Sequence, residues 1–155
     1  MLLRPFQLED AAAVYQLFYE TVHSVNLKDY SPAEVEAWVP SAEPDLHKWG
    51  QRFRQQDTLI AEINGQMAGF GNLDEEGLNI DMVYTHKDFQ GQGVASALLS
   101  NLENQVREKG GSSITLAASI TARPFFERRG YGHVRDNQVE RRGVVLRNFI
   151  MRKVL

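Results

Sequence analysis

The stretch MVYTHKDFQGQGVASALL, residues 82–99, decides how the rest of the sequence is interpreted. It begins as a strand, continues into a short polar loop and ends in a helical pattern that is introduced by Gly91 and Gly93. The first N–H groups of a helix have no partner inside it, and the helix dipole gives that end a partial positive charge. Glycines let the backbone close around an anion without a Cβ in the way. The stretch therefore predicts a phosphate-binding loop, with a pyrophosphate as its natural ligand.

Two other phosphate-binding motifs fit this loop less well. In residues 91–96, Ser96 stands where the dinucleotide-binding fingerprint has its third glycine, and no Asp or Glu ends a strand about 20 residues further on. No Gly-Lys-Ser/Thr follows, as a P-loop would require. A phosphate- or nucleotide-binding module of another kind stays open as an interpretation of the loop alone.

Helical and strand-like patterns on both sides of the loop predict one α+β domain over residues 1–155. Strands are predicted at 2–6, 58–63, 66–72, 78–85, 113–118, 131–135 and 144–152. Helices are predicted at 11–22, 32–39, 45–55, 91–109 and 122–129. Ser31 and Glu34 form a capping-box pattern at one helix start, and Asn64-Gly65 is a two-residue hairpin signal.

Composition narrows the class of protein. The chain has 43% hydrophobic and 24% charged residues, which is the balance of a soluble globular domain. Its net charge of −3 argues against a dedicated nucleic-acid binder. Arginines crowd the C-terminal third, and we interpret them as a solvated surface. They are Arg123, Arg128, Arg129, Arg135, Arg141, Arg142 and Arg147.

The lack of cysteine and of long apolar runs bears on chemistry and location. Without cysteine the chain has no disulfide, no thiol nucleophile and no Cys-based zinc site. The apolar run at the N-terminus is too short for a signal peptide, and no run approaches the roughly 20 residues of a membrane span. We expect a cytoplasmic protein with no metal and no membrane partner.

Two signatures give the sequence a resemblance to a known family. Gln90-x-x-Gly93-x-Ala95 resembles the Arg/Gln-x-x-Gly-x-Gly/Ala signature of the GCN5-related N-acetyltransferases (GNAT). Residues 122–131, ARPFFERRGY, resemble the second signature of that family, Ala-x-x-Phe-Tyr-x-x-x-Gly-Phe. The resemblance implies an α/β/α arrangement: a mixed, mostly antiparallel sheet of six or seven strands flanked by helices. It also implies transfer of an acetyl group from acetyl-coenzyme A (acetyl-CoA) to an amine.

The resemblance also implies which residues bind the coenzyme. The backbone amides of Gly91, Gln92, Gly93, Val94, Ala95 and Ser96 would hold the pyrophosphate, next to the signature residue Gln90. Met82, Val83 and Tyr84 would pair with the pantetheine amides, as in strand addition by a ligand. The Val83 N–H would polarise the thioester carbonyl. Ser119 and Phe126 would line the pantetheine arm.

The catalytic base and acid are less well determined. Asp81 is the first candidate base, and His86 and His133 are alternatives; Asp81 facing solvent or pairing with an arginine is an equally open interpretation. The tyrosine that usually serves as acid in the family aligns with Phe126, which has no proton to give. Tyr131 aligns with a core aromatic. Coenzyme A would therefore leave as a thiolate, or take a proton from water or another hydroxyl.

The acceptor is an amine of a small molecule or peptide whose identity the sequence leaves open. The first helices and the last hairpin would shape its site, from Tyr30, Trp38, Trp49 and His23 and from residues 144–149. Aromatic residues there are typical of a core and would also suit a cationic acceptor. Relatives in the family are often dimers, so the resemblance also implies a homodimer. A non-catalytic acyl-CoA sensor is the alternative function, favoured by Phe126.

Overall fold

The chain folds into seven strands and five α-helices in the order that its patterns predict, in a computed structural model that describes all residues 1–155. The strands are β1 Leu2–Pro5, β2 Leu59–Ile63, β3 Gln66–Leu73, β4 Ile80–Thr85, β5 Ser113–Ser119, β6 Gly132–Arg141 and β7 Val144–Val154. The helices are α1 Ala11–Ser24, α2 Pro32–Trp38, α3 Leu46–Gln55, α4 Val94–Glu108 and α5 Arg123–Arg128. None of the helices combines the length and apolar character that crossing a bilayer requires.

The strands form two antiparallel sheets, with the orders β1-β2-β3-β4 and β5-β7-β6. β4 and β5 lie beside each other where the two sheets meet, but no hydrogen-bonded ladder joins them. The α+β class and the number of strands are as predicted. The interruption between β4 and β5 leaves one edge of each strand without a strand partner.

Two local signals in the sequence form the structures they predict. The Ser31 hydroxyl accepts a hydrogen bond from the Glu34 N–H at 3.1 Å, and the Glu34 carboxylate accepts one from the Ser31 N–H at 2.8 Å. This capping box starts α2. Asn64 and Gly65 have φ values of 51° and 77°, and they join β2 to β3. Two positive φ values are what a type I′ hairpin turn needs.

The start of β4 differs from the prediction. The strand begins at Ile80 instead of residue 78, because the Asp74 carboxylate accepts hydrogen bonds from the N–H groups of Leu78 and Asn79, at 3.2 and 3.3 Å. These bonds hold both residues in a turn. β6 is longer than predicted and continues to Arg141, because its ladder with β7 extends to the hairpin.

Helix α4 is anchored close to the first sheet by glycines in β3. A Cβ on Gly69 would stand 2.6 Å from Cγ1 of Val94, and one on Gly71 would stand 3.3 Å from Cδ1 of Leu102. Only a residue without a side chain allows this approach. Val94 and Leu102 are in turn fully buried. The close packing therefore fixes the first turn of α4 beside the end of β4.

Candidate functional site

A cavity of about 480 Å³ is lined by both β4 and β5, the two strands that no ladder joins. It extends from Gln90 and Ala95, at the start of α4, to Arg52 of α3 and Asp81 of β4. The predicted site residues that line it are Asp81, Met82, Val83, Tyr84, Gln90, Ala95, Ser119 and Phe126. The structure thus brings residues from five separate segments of the chain to one cavity.

The ladder between β3 and β4 determines which backbone groups of β4 face this cavity. The His86 N–H donates to the Ala68 carbonyl at 2.7 Å, and in the same register Val83 lies opposite Gly71. In an antiparallel ladder, residues that exchange hydrogen bonds with their partner alternate with residues whose groups point the other way. Counting back from His86, the N–H and C=O of Val83 and Thr85 point away from β3.

The hydrogen bonds of Thr85 agree with this orientation. Its carbonyl accepts from the Thr21 hydroxyl at 3.0 Å and from Nε2 of Gln90 at 2.8 Å, both of which belong to elements outside the ladder. Gln90 thereby ties the loop to the end of β4. At Val83 no protein group takes the equivalent place, so its N–H and C=O are free to bind a ligand in the cavity.

The loop before α4 presents a run of free donors. No backbone N–H from residue 91 to residue 96 donates to another protein group. Gly91 and Gly93 have φ values of 75° and 80°, in the left-handed region, and a Cβ at either position would meet nothing within 4 Å. These donors lie at the positive end of α4, so the loop suits an anionic group.

A basic side chain that sequence reasoning missed lies at this loop. The Arg129 guanidinium donates a hydrogen bond to the Ser96 hydroxyl and lies 4.5 Å from the centre of the Phe125 ring. It makes no salt bridge with a carboxylate. Its place within the second signature was visible in the sequence, but its proximity to Ser96, 33 residues away, was not.

Asp81 occupies a bulge in β4. Asn72 pairs with Met82 and Leu73 pairs with Ile80, so Asp81 is the extra residue between them. A bulge bends the strand and redirects the side chain of the extra residue. At this position the bulge places a carboxylate on the wall of the cavity, where it is the only carboxylate.

The Asp81 carboxylate is held by two partners. Its Oδ2 accepts from Nη2 of Arg52 at 2.7 Å and from Nε2 of Gln56 at 2.9 Å. Its Oδ1 has no protein partner. The pairing with an arginine, one of the two interpretations of this residue, is therefore present, and it leaves one oxygen of Asp81 open to the cavity.

Both histidines considered as bases lie away from the cavity. Nε2 of His86 is 3.3 Å from the Glu20 carboxylate, and its Nδ1 accepts from the Asp88 N–H at 3.0 Å. His133 binds Asp136 at 2.8 Å. The His86 side chain points toward α1 and does not line the cavity, which lies toward β5. Asp81 remains as the candidate base.

Tyr131 does not supply the hydroxyl that Phe126 lacks. Tyr131 is 3% exposed and donates to the Glu103 carboxylate at 2.9 Å. Burial, and next the hydrogen bond with Glu103, raise the pKa of Tyr131 far above its ordinary value. Its ring packs edge-on against Phe126 at 5.4 Å. Tyr131 is therefore a core aromatic, as predicted.

The other hydroxyls of the cavity differ in how far they are already bonded. The Tyr30 hydroxyl donates to the Arg147 carbonyl at 2.6 Å and accepts from the Ile120 N–H at 2.9 Å. The Ser119 hydroxyl accepts from the Ala122 N–H at 3.0 Å. The buried Thr121 hydroxyl, by contrast, has no hydrogen-bond partner. No sequence signal marked Thr121, whose unbonded hydroxyl oxygen is buried beside this wall.

The aromatic residues predicted for the acceptor region are divided between wall and core. Trp38, Trp49 and Tyr30 line the cavity, with the rings of Tyr30 and Trp38 5.2 Å apart. His23 does not line it, because its Nε2 lies 2.6 Å from the Val39 carbonyl and its ring stacks elsewhere. No cluster of three or more Asp, Glu or His side chains is placed to hold a metal ion.

Comparison with known proteins assigns the family. The model described as Acetyltransferase (GNAT) domain matches residues 26–155. The chain belongs to this family. It is 36% identical over 150 residues to the Escherichia coli protein named Uncharacterized N-acetyltransferase YafP, covering 97% of this chain and 93% of that one. The predicted family and its acyltransferase class are confirmed.

Solved GNAT structures share the fold. A GCN5-related N-acetyltransferase from Rhodopseudomonas palustris superposes with a TM-score of 0.94 at 36% identity, covering 99% of this chain and 95% of that chain. The PaiA N-acetyltransferase from Thermoplasma acidophilum, in complex with coenzyme A, has a TM-score of 0.81 at 17% identity, covering 99% and 98%. At that identity the likeness shows the fold alone. The predicted GNAT-like α+β fold is confirmed.

Proposed function

We propose that this GNAT protein binds acetyl-CoA in the cavity between β4 and β5 and transfers the acetyl group directly to an amine. The observation that carries the proposal is the free backbone edge at Val83, in a cavity that ends at a loop with unpaired N–H groups. A ligand with amides along a thin arm and phosphates at its end matches both features. Coenzyme A has this form.

The two ends of the coenzyme would be held in different ways. The N–H groups of residues 91–96 bind the pyrophosphate, and the Arg129 guanidinium lies near enough to add a positive charge. The free C=O of Val83 accepts from an amide of the pantetheine arm in place of a strand partner, which leaves its N–H for the thioester. Ser119, Thr121 and Phe126 form the opposite wall.

The Val83 N–H would also act in the chemical step. Attack on the thioester places negative charge on the carbonyl oxygen, and a fixed backbone donor stabilises this charge more than it stabilises the ground state. Loss of one such donor typically costs roughly 10²–10³ in kcat. The Val83 N–H can stabilise this charge only because no ladder joins β4 to β5. If it already donated to β5, it could not bind the carbonyl oxygen.

Asp81 would be the base. An alkyl amine with a pKa near 10 arrives as an ammonium and must lose a proton before it attacks. Asp81 and Val83 are two residues apart, about 7 Å along the strand, so the open Oδ1 reaches the amine directly or through one water. The neutral nitrogen then attacks the thioester carbon and forms the C–N bond, the tetrahedral intermediate collapses as the C–S bond breaks, and the nitrogen gives its second proton to solvent water.

The leaving group would receive its proton from solvent. Phe126 has no hydroxyl, and the Tyr131 hydroxyl is committed to Glu103 in the core. A thiol has a pKa of about 8.5, so coenzyme A is a tolerable leaving group as the thiolate.

The test is the release of free thiol from acetyl-CoA by the purified chain over a panel of amines. We expect saturable release that needs both substrates, and mass spectrometry should find one acetyl group on the amine. Calorimetry with coenzyme A alone measures its affinity and so tests the binding part of the proposal separately from acetyl transfer. A chain that binds no coenzyme A at millimolar concentration would refute the assignment of the cavity.

The second candidate is an acyl-CoA sensor without catalysis, which the absence of an acidic hydroxyl at Phe126 favours. A sensor would bind acetyl-CoA tightly and release no thiol with any amine, and its thermal stability would still rise with the ligand. The same two measurements therefore separate the candidates. ATP outcompeting acetyl-CoA would instead indicate a nucleotide-binding module.

A further inference from the structure

The charged residues on the wall of the cavity are unbalanced. They are Arg52, Asp81, Arg141 and Arg147, three guanidinium groups and one carboxylate. The chain as a whole has a net charge of −3, so this concentration of positive charge is local. We infer that the amine acceptor also carries a carboxylate, as an amino acid does; the inference rests on the proposed acetyl transfer and names its acceptor class.

Arg52 keeps part of its hydrogen-bonding capacity free. Its Nη2 binds Asp81 at 2.7 Å and its Nε binds Gln56 at 3.1 Å, while its Nη1 has no partner. The guanidinium lies 5.1 Å from the centre of the Trp49 ring, and the side chain is 45% exposed. Arg52 is thus oriented by the Asp81 pair and the Trp49 ring, with an N–H group left for a second anion.

Arg141 approaches the cavity from the hairpin of β6 and β7. Val139 and Leu146 pair across this hairpin and both line the cavity. Side chains two apart on a strand share a face, so Arg141 lies on the same face as Val139. Arg141 has no carboxylate partner, and its only hydrogen bond is to the Glu140 carbonyl at 3.1 Å.

The neighbouring Arg142 fixes the position of the hairpin. Its Nη1 donates to the Ala37 carbonyl of α2 at 2.6 Å, and the next residue, Trp38, lines the cavity. The tip of the hairpin is therefore held against the acceptor end of the cavity. Arg141 stands at this rim without an anion to neutralise it.

The arrangement suits a zwitterion better than a simple cation. Asp81 can receive an ammonium group, and the guanidinium groups of Arg52 and Arg141 can bind a carboxylate, for which their planar geometry is matched. A polyamine would place a second positive charge beside these arginines. From the sequence, the aromatic residues of the acceptor region suited a cationic acceptor. The arginines that line the same cavity favour a zwitterion instead.

The experiment compares amines that differ only in the anionic group. Each amino acid is tested against its carboxamide and its decarboxylated amine, with acetyl-CoA and thiol release as the readout. We expect kcat/KM to be at least about tenfold higher for the carboxylate member of each productive set, because the amide and the amine leave the guanidinium groups unpaired. Phosphoethanolamine tests whether a phosphate serves as the anion.

Matched variants test the arginine on the rim. Arg141→Gln should raise the KM of the amino acid about tenfold and leave that of its decarboxylated amine unchanged. Arg135→Gln is the control, because Arg135 lies on the same strand, bonds only to Asn137 at 2.9 Å and does not line the cavity. Both variants should keep the wild-type affinity for coenzyme A.

The outcomes separate the two levels of the proposal. Carboxamides or decarboxylated amines that react as well as the amino acids would overturn the acceptor class and leave acetyl transfer standing. Preference for phosphoethanolamine over every amino acid would also overturn the inference that the anionic group of the acceptor is a carboxylate. Failure of all these amines, with coenzyme A bound, would instead refute acetyl transfer to an amine of this kind.

Discussion

Substitution of Gly93 by aspartate tests the loop before α4 at its centre. Gly93 has a φ of 80° and exposes its backbone, and a Cβ there would meet no atom within 4 Å. The new side chain therefore does not clash within the fold. It does place a carboxylate among the N–H groups that we assign to the pyrophosphate.

The magnitude follows from charge. Two unit charges 4 Å apart repel by about 4 kcal/mol at an effective dielectric constant of 20, which corresponds to roughly a thousandfold loss of affinity. The left-handed backbone adds a cost of about 1 kcal/mol in stability for a residue with a Cβ. In a domain of this size, this cost lowers the Tm by about 2–4 °C.

Gly93→Asn is the matched control, because asparagine has nearly the shape of aspartate and tolerates the same backbone without the charge. Calorimetry with coenzyme A should show a loss of about a thousandfold for Gly93→Asp and a far smaller loss for Gly93→Asn. The thermal melts of the two variants should nearly coincide. Equal affinities for the two variants would refute the placement of the pyrophosphate at this loop.

Three further predictions test the base, the missing acid and a partly buried ion pair. Asp81→Asn should lower kcat at least about a hundredfold with an unchanged KM for acetyl-CoA, and an unchanged kcat would remove Asp81 from the mechanism. Phe126→Tyr should raise kcat about tenfold if protonation of the sulfur limits the rate, which single-turnover kinetics would show; identical rates mean that the thiolate leaves unaided. The hydrogen bonds from Arg4 hold the pKa of Asp10 below its ordinary value, so the pair contributes stability above about pH 4 that is lost as the pH falls through the lower folded pKa. Asp10→Asn should therefore be less stable than wild type at pH 7 and approach it near pH 2 in denaturant titrations; a gap independent of pH would contradict this.

Features set by neighbouring residues were predictable from the sequence. The capping box of Ser31 and Glu34 and the turn at Asn64-Gly65 depend on contacts within three residues, and both are present. The conformation of the loop before α4 was predictable in the same way, because glycine at positions 91 and 93 allows the positive φ values that the loop adopts. In each case the chemistry of a short segment is enough to specify the local conformation.

Features that depend on packing between distant segments were not predictable. The arginine partner of Asp81 is 29 residues away on α3. The bulge at Asp81 arises because β4 has one more residue than β3 between two successive pairs of the ladder. The orientation of His86 toward Glu20 depends on how α1 lies against the sheet. The alternation of side chains along β4 could not show which way Asp81 and His86 point, because the bulge at Asp81 interrupts the alternation.

The free edge of β4 has a consequence for association as well as for ligand binding. An exposed strand edge in most proteins invites a strand of another molecule to add to it, which leads to aggregation. Here the unbonded groups of Val83 lie in a cavity that the second sheet flanks, and β5 lies beside this edge, so a strand of another molecule would have to displace β5 to pair with β4. We therefore expect this edge of β4 not to promote aggregation, even though its backbone groups are unpaired.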